Sequence, residues 1–259
     1  SDGVVFGGED ILMWDGSAWS LWFDGSAAGL APVGKWKHNL NAIYIPQETG
    51  PNGPLTAAES DDLIVSFTQN ARPVPGIPGK VDGMDLVKWD GTAWSLWFDG
   101  SDVGLTAKTP EKIDALHVLP GAMSPIGANC QAYLLVSTQG PGTVPNPAGG
   151  KQLKFSGEDL LGFCMTNWGT TTTGMWHIVL DGSTQDMPKN SLDSISASPD
   201  GMTYYLTTRG NFKVDTAQGG HSMVYVYDVA TQTFSGPVFS AQPAGLPKKV
   251  DALHVELLP

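Results

Sequence analysis

Residues 85–101, DLVKWDGTAWSLWFDGS, repeat residues 10–26, DILMWDGSAWSLWFDGS, almost without change. In both copies, two short runs rich in aromatic and branched side chains flank an Asp-Gly pair. Asp-Gly is a favoured turn of β-hairpins, so each copy predicts two antiparallel strands. A weaker copy begins at residues 158–161 and reaches residues 176–183, and a fourth begins at residues 223–228. The recurrence predicts a chain assembled from one repeated unit.

Two further strand-like blocks follow these hairpins along the chain. The first block recurs at residues 40–46, 113–120, 192–196 and 250–255, and the second recurs at residues 62–67, 133–137 and 203–207. Each block is short, rich in β-branched and aromatic residues, and bounded by Gly, Pro or Asp-Gly, which are strand signals. One repeat therefore supplies four strands of an antiparallel meander, which is the content of a large propeller blade.

The predicted fold is all-β, with four sequence repeats of antiparallel strands in a four-bladed β-propeller-like domain that spans residues 1–259. A β-sandwich or barrel built from the same hairpins is the alternative. The approximate repeats are residues 9–84, 85–157, 158–222 and 223–259. The fourth repeat lacks its last strand, and residues 1–8 could supply it. That contribution would close the ring by joining the two ends of the chain.

The charge and composition of the chain exclude several classes of protein. The formal net charge is −12 and the 14 basic residues are scattered, whereas binding to nucleic acid needs clustered Lys and Arg. No apolar run approaches the roughly 20 residues of a membrane-spanning helix. The chain is therefore predicted neither to bind nucleic acid nor to span a membrane.

Other features of the sequence indicate export. The chain begins at Ser1 with no charged or apolar leader, which fits a processed product. A low Lys content with abundant Thr, Ser, Gly and Asn suits an exported bacterial protein. In such a protein, Cys130 and Cys164 are expected to form one disulfide, with two buried free thiols as the alternative.

The acidic residues do not form a catalytic set. Asp24 and Asp99 lie in repeated Phe-Asp-Gly-Ser turns, and Asp114, Asp193 and Asp251 occupy one repeat position. A turn or hydrogen-bonding role is therefore expected, although such carboxylates could also hold structural calcium. A propeller glycosidase would need two carboxylates outside the repeat pattern, and the sequence has no Gly-x-Ser-x-Gly elbow or phosphate loop. The chain is predicted not to be an enzyme.

Two of the five histidines belong to the repeat. His117 and His254 share the sequence Asp-Ala-Leu-His-Val, and Tyr44 and Ser196 hold the matching positions in the other two copies. A shared place in the repeat favours a structural role for both imidazoles.

His38 lies instead in residues 33–39, VGKWKHN, which match no other repeat. Trp36 and His38 are two residues apart, so in an extended segment their side chains point to the same side. An ordinary tryptophan cannot ligate a metal there, because its indole nitrogen only donates. From the residues alone, the pair is interpreted as a Trp that packs beside an exposed His.

Trp36-x-His38, in an acidic, Gly- and Trp-rich β protein, resembles the methanotroph surface copper proteins of the MopE and CorA kind. In that family the Trp of the motif is oxidised to kynurenine, and its amine binds one copper(I) together with the His of the motif and a second, more distant His. The resemblance implies that Trp36 becomes kynurenine and that His38 is the first imidazole ligand. It favours His117 as the second, with His221 and His254 as alternatives.

The same resemblance implies a secreted or cell-surface protein, associated with the outer membrane, that serves copper acquisition. A further partner on the outer-membrane surface is compatible with it, and a monomer is expected. The alternative function is an extracellular carbohydrate-binding or adhesion module that uses exposed Trp faces. Six tryptophans repeat between the first two hairpins, which favours a scaffold role for them: Trp14, Trp19, Trp22, Trp89, Trp94 and Trp97.

Overall fold

The computed structural model describes residues 4–30, 38–46, 62–68, 73–107, 111–126, 129–189, 192–246 and 250–255. Within these ranges the chain forms short strands joined by turns. The strands are β1 (Ile11–Trp14), β2 (Trp19–Phe23), β3 (Leu40–Tyr44), β4 (Leu63–Phe67), β5 (Leu86–Trp89), β6 (Trp94–Phe98), β7 (Ile113–Pro120), β8 (Ala132–Thr138), β9 (Gly142–Val144), β10 (Leu153–Phe155), β11 (Leu160–Asn167), β12 (Thr173–Leu180), β13 (Leu192–Ala197), β14 (Thr203–Thr208), β15 (Phe212–Val214), β16 (Ala217–Gly219), β17 (Met223–Asp228) and β18 (Thr233–Ser240). Short 3₁₀ turns at Gly100–Val103, Gly121–Met123 and Gly182–Gln185 follow β6, β7 and β12.

Three antiparallel sheets of four strands account for most of the described chain. Blade 1 is β3-β4-β5-β6, blade 2 is β7-β8-β11-β12, and blade 3 is β13-β14-β17-β18. The hairpins β9–β10 and β15–β16 are inserted between the second and third strands of blades 2 and 3. The hairpin β1–β2 pairs separately and corresponds in sequence to the outer pair β5–β6.

The first strands of successive blades are neighbours. β7 packs against β3 on one side and against β13 on the other, as the innermost strands around the axis of a propeller do. All three strands carry the same register shift, which follows Leu40, Ile113 and Leu192. The predicted all-β, propeller-like fold of antiparallel strands is confirmed.

The two ends of the chain fill the fourth blade position. The indole of Trp19 in β2 donates to the carbonyl of Ala244, which follows blade 3, at 2.5 Å. On the other side, the indole of Trp94 in blade 1 donates to the carbonyl of Ala28, which follows β2, at 2.8 Å. Ala252, near the C-terminal end, packs against the apolar cluster that contains residues of β1 and β2. The hairpin β1–β2 therefore lies between blades 3 and 1 and closes the ring.

The blades are offset by two strands from the sequence repeats. Blade 1 takes β3 and β4 from residues 9–84 and β5 and β6 from residues 85–157. The fourth position likewise combines residues 250–255 with β1–β2. Residues 4–8 of the predicted closing segment form no strand in the structure, and residues 1–3 lie outside the described residues.

A repeated Asp fixes the start of each outer hairpin to the turn that follows it. The Asp85 carboxylate accepts two backbone N–H bonds, one of them from Gly100 at 3.0 Å. Asp10 and Asp159 make the corresponding bonds. A Cβ on Gly100 would lie 2.5 Å from a backbone carbonyl oxygen, so only glycine fits at this turn. Burial raises the pKa of Asp85 to about 6, because desolvation outweighs the two bonds to the charged form.

Two other expectations concern residues whose contacts are now visible. Asp24 and Asp99 accept hydrogen bonds from the hydroxyls of Ser26 and Ser101, so both carboxylates stabilise their turns. Cys130 and Cys164 form the expected disulfide, which ties the segment before β8 to β11. Among the residues that the structure describes, no helix has the length and apolar character needed to cross a bilayer.

Candidate metal site

His38 lies just before β3 and is 5% exposed. Its Nδ1 is 3.0 Å from the Leu30 carbonyl oxygen and its Nε2 is 2.9 Å from the Pro73 carbonyl oxygen. The ring also packs edge-on against Phe67. Because a neutral imidazole has one N–H, it can donate to only one of these two carbonyl groups. Both ring nitrogens are thus directed at backbone oxygens, and His38 is buried and not exposed as the residues alone suggested.

His117 lies on β7, the innermost strand of blade 2, and is 7% exposed. Its ring packs edge-on against Tyr44, the last residue of β3, with 5.1 Å between the ring centres. Its Nδ1 atom is buried and has no hydrogen-bond partner within the described structure. Burial, with a smaller contribution from the charge of His254, lowers the pKa of His117 to about 3, so the ring is neutral at neutral pH.

His254 lies in the C-terminal segment that corresponds in sequence to the start of β3, β7 and β13. The side chain is partly exposed, but its Nε2 atom is buried and finds no partner among the described groups. Its ring packs edge-on against Tyr44 as well, at 6.2 Å between ring centres. Burial lowers the pKa of His254 to about 4, so this imidazole is also neutral at neutral pH.

The four matching repeat positions come together at the centre of the fold. Tyr44 contacts both His117 and His254. Ser196 on β13 accepts a hydrogen bond from the backbone N–H of Val255 at 3.0 Å, which ties the C-terminal segment to blade 3. Since the four positions belong to successive blades, His117 and His254 approach the centre from opposite blade positions, with Tyr44 between them on one side.

A charged cluster lies three residues earlier on the same innermost strands. Arg209, at the end of blade 3's second strand, donates to Asp114 on β7 and, at 3.0 Å, to Asp193 on β13. Its third bond goes to the carbonyl of Gln139 at 3.2 Å. The arginine therefore links blades 2 and 3 through two of the three repeated carboxylates, Asp114 and Asp193, which have the hydrogen-bonding role expected from the sequence.

The structure does not bring together the residues that the copper motif combines. Trp36 lies outside the described residues. His38 precedes β3, whereas His117 contacts Tyr44 at the other end of β3, and that strand alone spans about 13 Å at 3.3 Å per residue. Two nitrogen ligands of one ion lie within about 4 Å of each other. His38 and His117 therefore do not share an ion in this arrangement.

The other histidines have different surroundings. His221 is exposed, at the turn before β17. His177 on β12 stacks on Tyr133, and its Nε2 lies 2.9 Å from the tyrosine hydroxyl. Over the described ranges, no three His, Cys, Asp or Glu side chains converge as a metal-binding group. The Nδ1 of His177 is also buried and has no partner among the described groups, so the pair of His117 and His254 is distinguished only by its contact with one shared tyrosine.

The repeat already showed that His117 and His254 are equivalent, but this equivalence favoured a structural role for both. The shared Asp-Ala-Leu-His-Val showed that His117 and His254 occupy equivalent places and suggested satisfied scaffold residues. Equivalence in a closed ring also places them on opposite sides of one centre. Neither the missing hydrogen bonds nor the cross-blade contacts of Arg209 could be read from the repeat.

Comparisons with known proteins add little to this description of the fold and of the histidines. No family model matches the sequence, and no curated protein sequence matches it. Among solved structures, the β-propeller domain of Cps50 (Swd1) from Myceliophteria thermophila aligns at 12% identity with a TM-score of 0.31. The alignment covers 84% of this chain and 44% of that one, so the chain spans less than half the length of the structure it matches. An alignment with a TM-score this low supports no conclusion about function.

Proposed function

We propose that this chain is an extracellular or cell-surface protein that binds one copper(I) ion and serves copper acquisition. The Trp36-x-His38 resemblance supports copper as the ligand. The disulfide between Cys130 and Cys164 is consistent with an oxidising compartment. The observation that carries the proposal is the buried Nδ1 of His117, which has no hydrogen-bond partner within the described structure.

An unpartnered ring nitrogen in the interior is costly. Leaving a buried donor or acceptor unsatisfied costs about 1–3 kcal/mol, and such groups commonly mark a bound water or ion. Because the imidazole of His117 is neutral, its lone pair is available without loss of a proton. Imidazole is a good ligand for copper. Binding of copper would therefore relieve the unsatisfied group and use a ligand already in the required protonation state.

The motif at Trp36 and His38 enters the proposal as a separate element. Oxidation of Trp36 to kynurenine consumes one dioxygen, opens the five-membered ring and releases one carbon as formate on hydrolysis, leaving an aromatic amine. For His38 to bind the same ion as His117, the two ends of β3 would have to come closer together, and the His38 ring would have to leave one of the two carbonyl oxygens that it faces. A neutral imidazole has one N–H, so it makes only one of those hydrogen bonds, and the ion would replace the other contact.

The test is metal analysis and peptide mass spectrometry of protein from its native host. We expect one copper per chain and a peptide in which Trp36 carries the mass and near-ultraviolet absorption of kynurenine. If the protein contains copper but no kynurenine, the proposed copper binding stands and Trp36 has no part in it. Protein that takes up no copper under reducing conditions, whether native or recombinant, would contradict the proposed function.

The carbohydrate-binding alternative finds weaker support in the described residues. Among the tryptophans that the structure describes, Trp168 alone is more than half exposed, at 51%. Trp94 and Trp176 use their indole N–H groups between blades instead. A stacking platform would therefore depend on one described ring. Saccharide-dependent quenching of Trp fluorescence that Trp168→Ala abolishes, with no dependence on metal, would favour this alternative over copper.

A further inference from the structure

We propose that the fourth blade position binds an extended apolar segment of a partner protein, which adds a strand to the open edge of β1. The second strands of blades 1, 2 and 3 are β4, β8 and β14, and each pairs with the first and the third strand of its sheet. In the fourth position β1 corresponds to the third strand, and within the described ranges it pairs with β2 alone. The inference does not depend on copper binding.

The exposure of β1 can be compared with that of the paired third strands, position by position. In blade 1, Val87 of β5 lies opposite Val65 of β4 and is fully buried. In blade 2, Leu161 lies opposite Val136 and is likewise buried. Leu12 holds the same repeat position in β1 but is partly exposed. A second strand would cover this side chain and satisfy the backbone groups along the edge, as in the complete blades.

One difference between the two nearly identical repeats favours an apolar partner. Lys88 in β5 forms an ion pair with Asp62 at 2.8 Å. Met13 takes the place of that lysine in β1 and is 36% exposed. Strand edges that face water usually carry charged residues, Lys above all, which prevent pairing with other chains. The open edge thus has an apolar side chain where the paired strand has a lysine, which suits it to pairing with another strand.

The second strands of the complete blades define the chemistry of the occupant. Their sequences are LIVSF in β4, AYLLVST in β8 and TYYLTT in β14, and none contains a charged residue. Every residue of β4 and β8 is buried. The occupant is therefore an uncharged, apolar segment of five to seven residues, like β4 and β8. It runs antiparallel to β1, as β4 runs to β5, and its main chain supplies the hydrogen bonds.

A partner protein is a better donor of this strand than a second copy of the chain. In each copy, β4, β8 and β14 are paired on both edges, so a copy donates one of them only by opening a blade. Opening a blade exposes the buried apolar side chains of that strand to water, which is unfavourable. Two copies that paired through their β1 edges would instead form a dimer, which analytical ultracentrifugation detects.

The experiment is fluorescence anisotropy with a labelled synthetic peptide of residues 63–68, LIVSFT, on a soluble Gly-Ser tail. We expect saturable binding of one peptide per chain. The same peptide with Val65→Pro should not bind, because proline cannot donate to a strand ladder. In the protein, Leu12→Lys should weaken binding by more than about tenfold, since burial of an unpaired charge is costly. Ser20→Lys adds the same charge at an exposed position of β2 and is the matched control.

Hydrogen exchange of the wild-type protein is a second measurement that needs no variant to fold. The amides of residues 11–14 should exchange faster than those of residues 86–89 in the free protein and become protected when the peptide binds. Equal protection of the two strands in the free protein would show that β1 is already paired and would overturn the inference. A peptide that does not bind, binding that Leu12→Lys leaves unchanged, or a dimer that Leu12→Lys dissociates would overturn it as well.

Discussion

Replacement of Trp94 by Phe is expected to lower the free energy of unfolding by about 2–4 kcal/mol. Trp94 is 4% exposed, and its indole N–H donates to the Ala28 carbonyl at 2.8 Å across the boundary between the fourth blade position and blade 1. Phe keeps an aromatic ring but removes the donor, and the loss of a partner for a buried polar group costs about 1–3 kcal/mol. The smaller ring leaves a cavity that adds about 1 kcal/mol.

The protein itself shows that Phe is compatible with this position. Phe234 in blade 3 pairs with Tyr227 across the outer hairpin, as Trp94 pairs with Trp89 in blade 1, and Phe234 is buried. The variant should therefore fold, and the change should be a loss of stability and not of structure. Trp168→Phe, at an exposed position, is the matched control and should change stability by less than about 0.5 kcal/mol.

The assay is guanidinium chloride unfolding followed by far-ultraviolet circular dichroism. We expect a lower midpoint with an unchanged slope for Trp94→Phe, since the surface exposed on unfolding is nearly the same. In thermal unfolding, each kcal/mol should appear as a fall in Tm of roughly 2–4 °C for a chain of this size. A variant as stable as the Trp168→Phe control would refute the role of the indole bond between blades.

Three further predictions follow from the repeated contacts. The pKa of Asp85 is about 6 in the folded protein and near 3.8 in the unfolded chain. The stability that its protonated form contributes, about 3 kcal/mol, is therefore present below pH 4 and is lost as the pH rises through 6. Asp85→Asn should flatten this part of a stability–pH curve, and an unaltered curve would contradict the assignment. Gly100→Ala should destabilise the protein by more than about 1 kcal/mol in chemical denaturation, because the new Cβ would lie 2.5 Å from a carbonyl oxygen. A Cβ added at Gly210 would meet no heavy atom within 4 Å, so Gly210→Ala is the control, and equal effects of the two variants would disprove the close approach. Replacing both Cys130 and Cys164 by Ser removes a disulfide that spans 34 residues and should lower the free energy of unfolding by about 2–4 kcal/mol. Differential scanning calorimetry can compare this variant with the oxidised protein. An unchanged Tm would show that the disulfide is not formed in solution.

The strands of the outer hairpins could be predicted from the sequence because their signals are local. Residues 85–101 contain two apolar runs and an Asp-Gly turn, and they form β5 and β6 as expected. The phase of the blades could not be predicted, because a cyclic repeat has the same sequence wherever its unit is taken to begin. Only the strand pairing shows that β5 and β6 join the sheet of β3 and β4, not that of β7 and β8.

The candidate site was harder to predict from the sequence than the strands were, for a related reason. The repeat identified His117 and His254 as equivalent, but a sequence does not show whether a buried nitrogen has a partner. The motif at Trp36 and His38 attracted interest because it departs from the repeat, yet the structure holds His38 between two carbonyl groups at the opposite end of β3 from Tyr44. Long-range packing, which brings the C-terminal segment against Tyr44, decides which histidines lie near each other.

The most direct test of copper binding at the centre is a crystal structure of the copper(I)-loaded protein with anomalous data collected at the copper absorption edge. We predict a single anomalous peak within about 2.0 Å of His117 Nδ1, the distance usual for a metal–imidazole bond. Copper-loaded crystals with no peak at His117 would contradict this account.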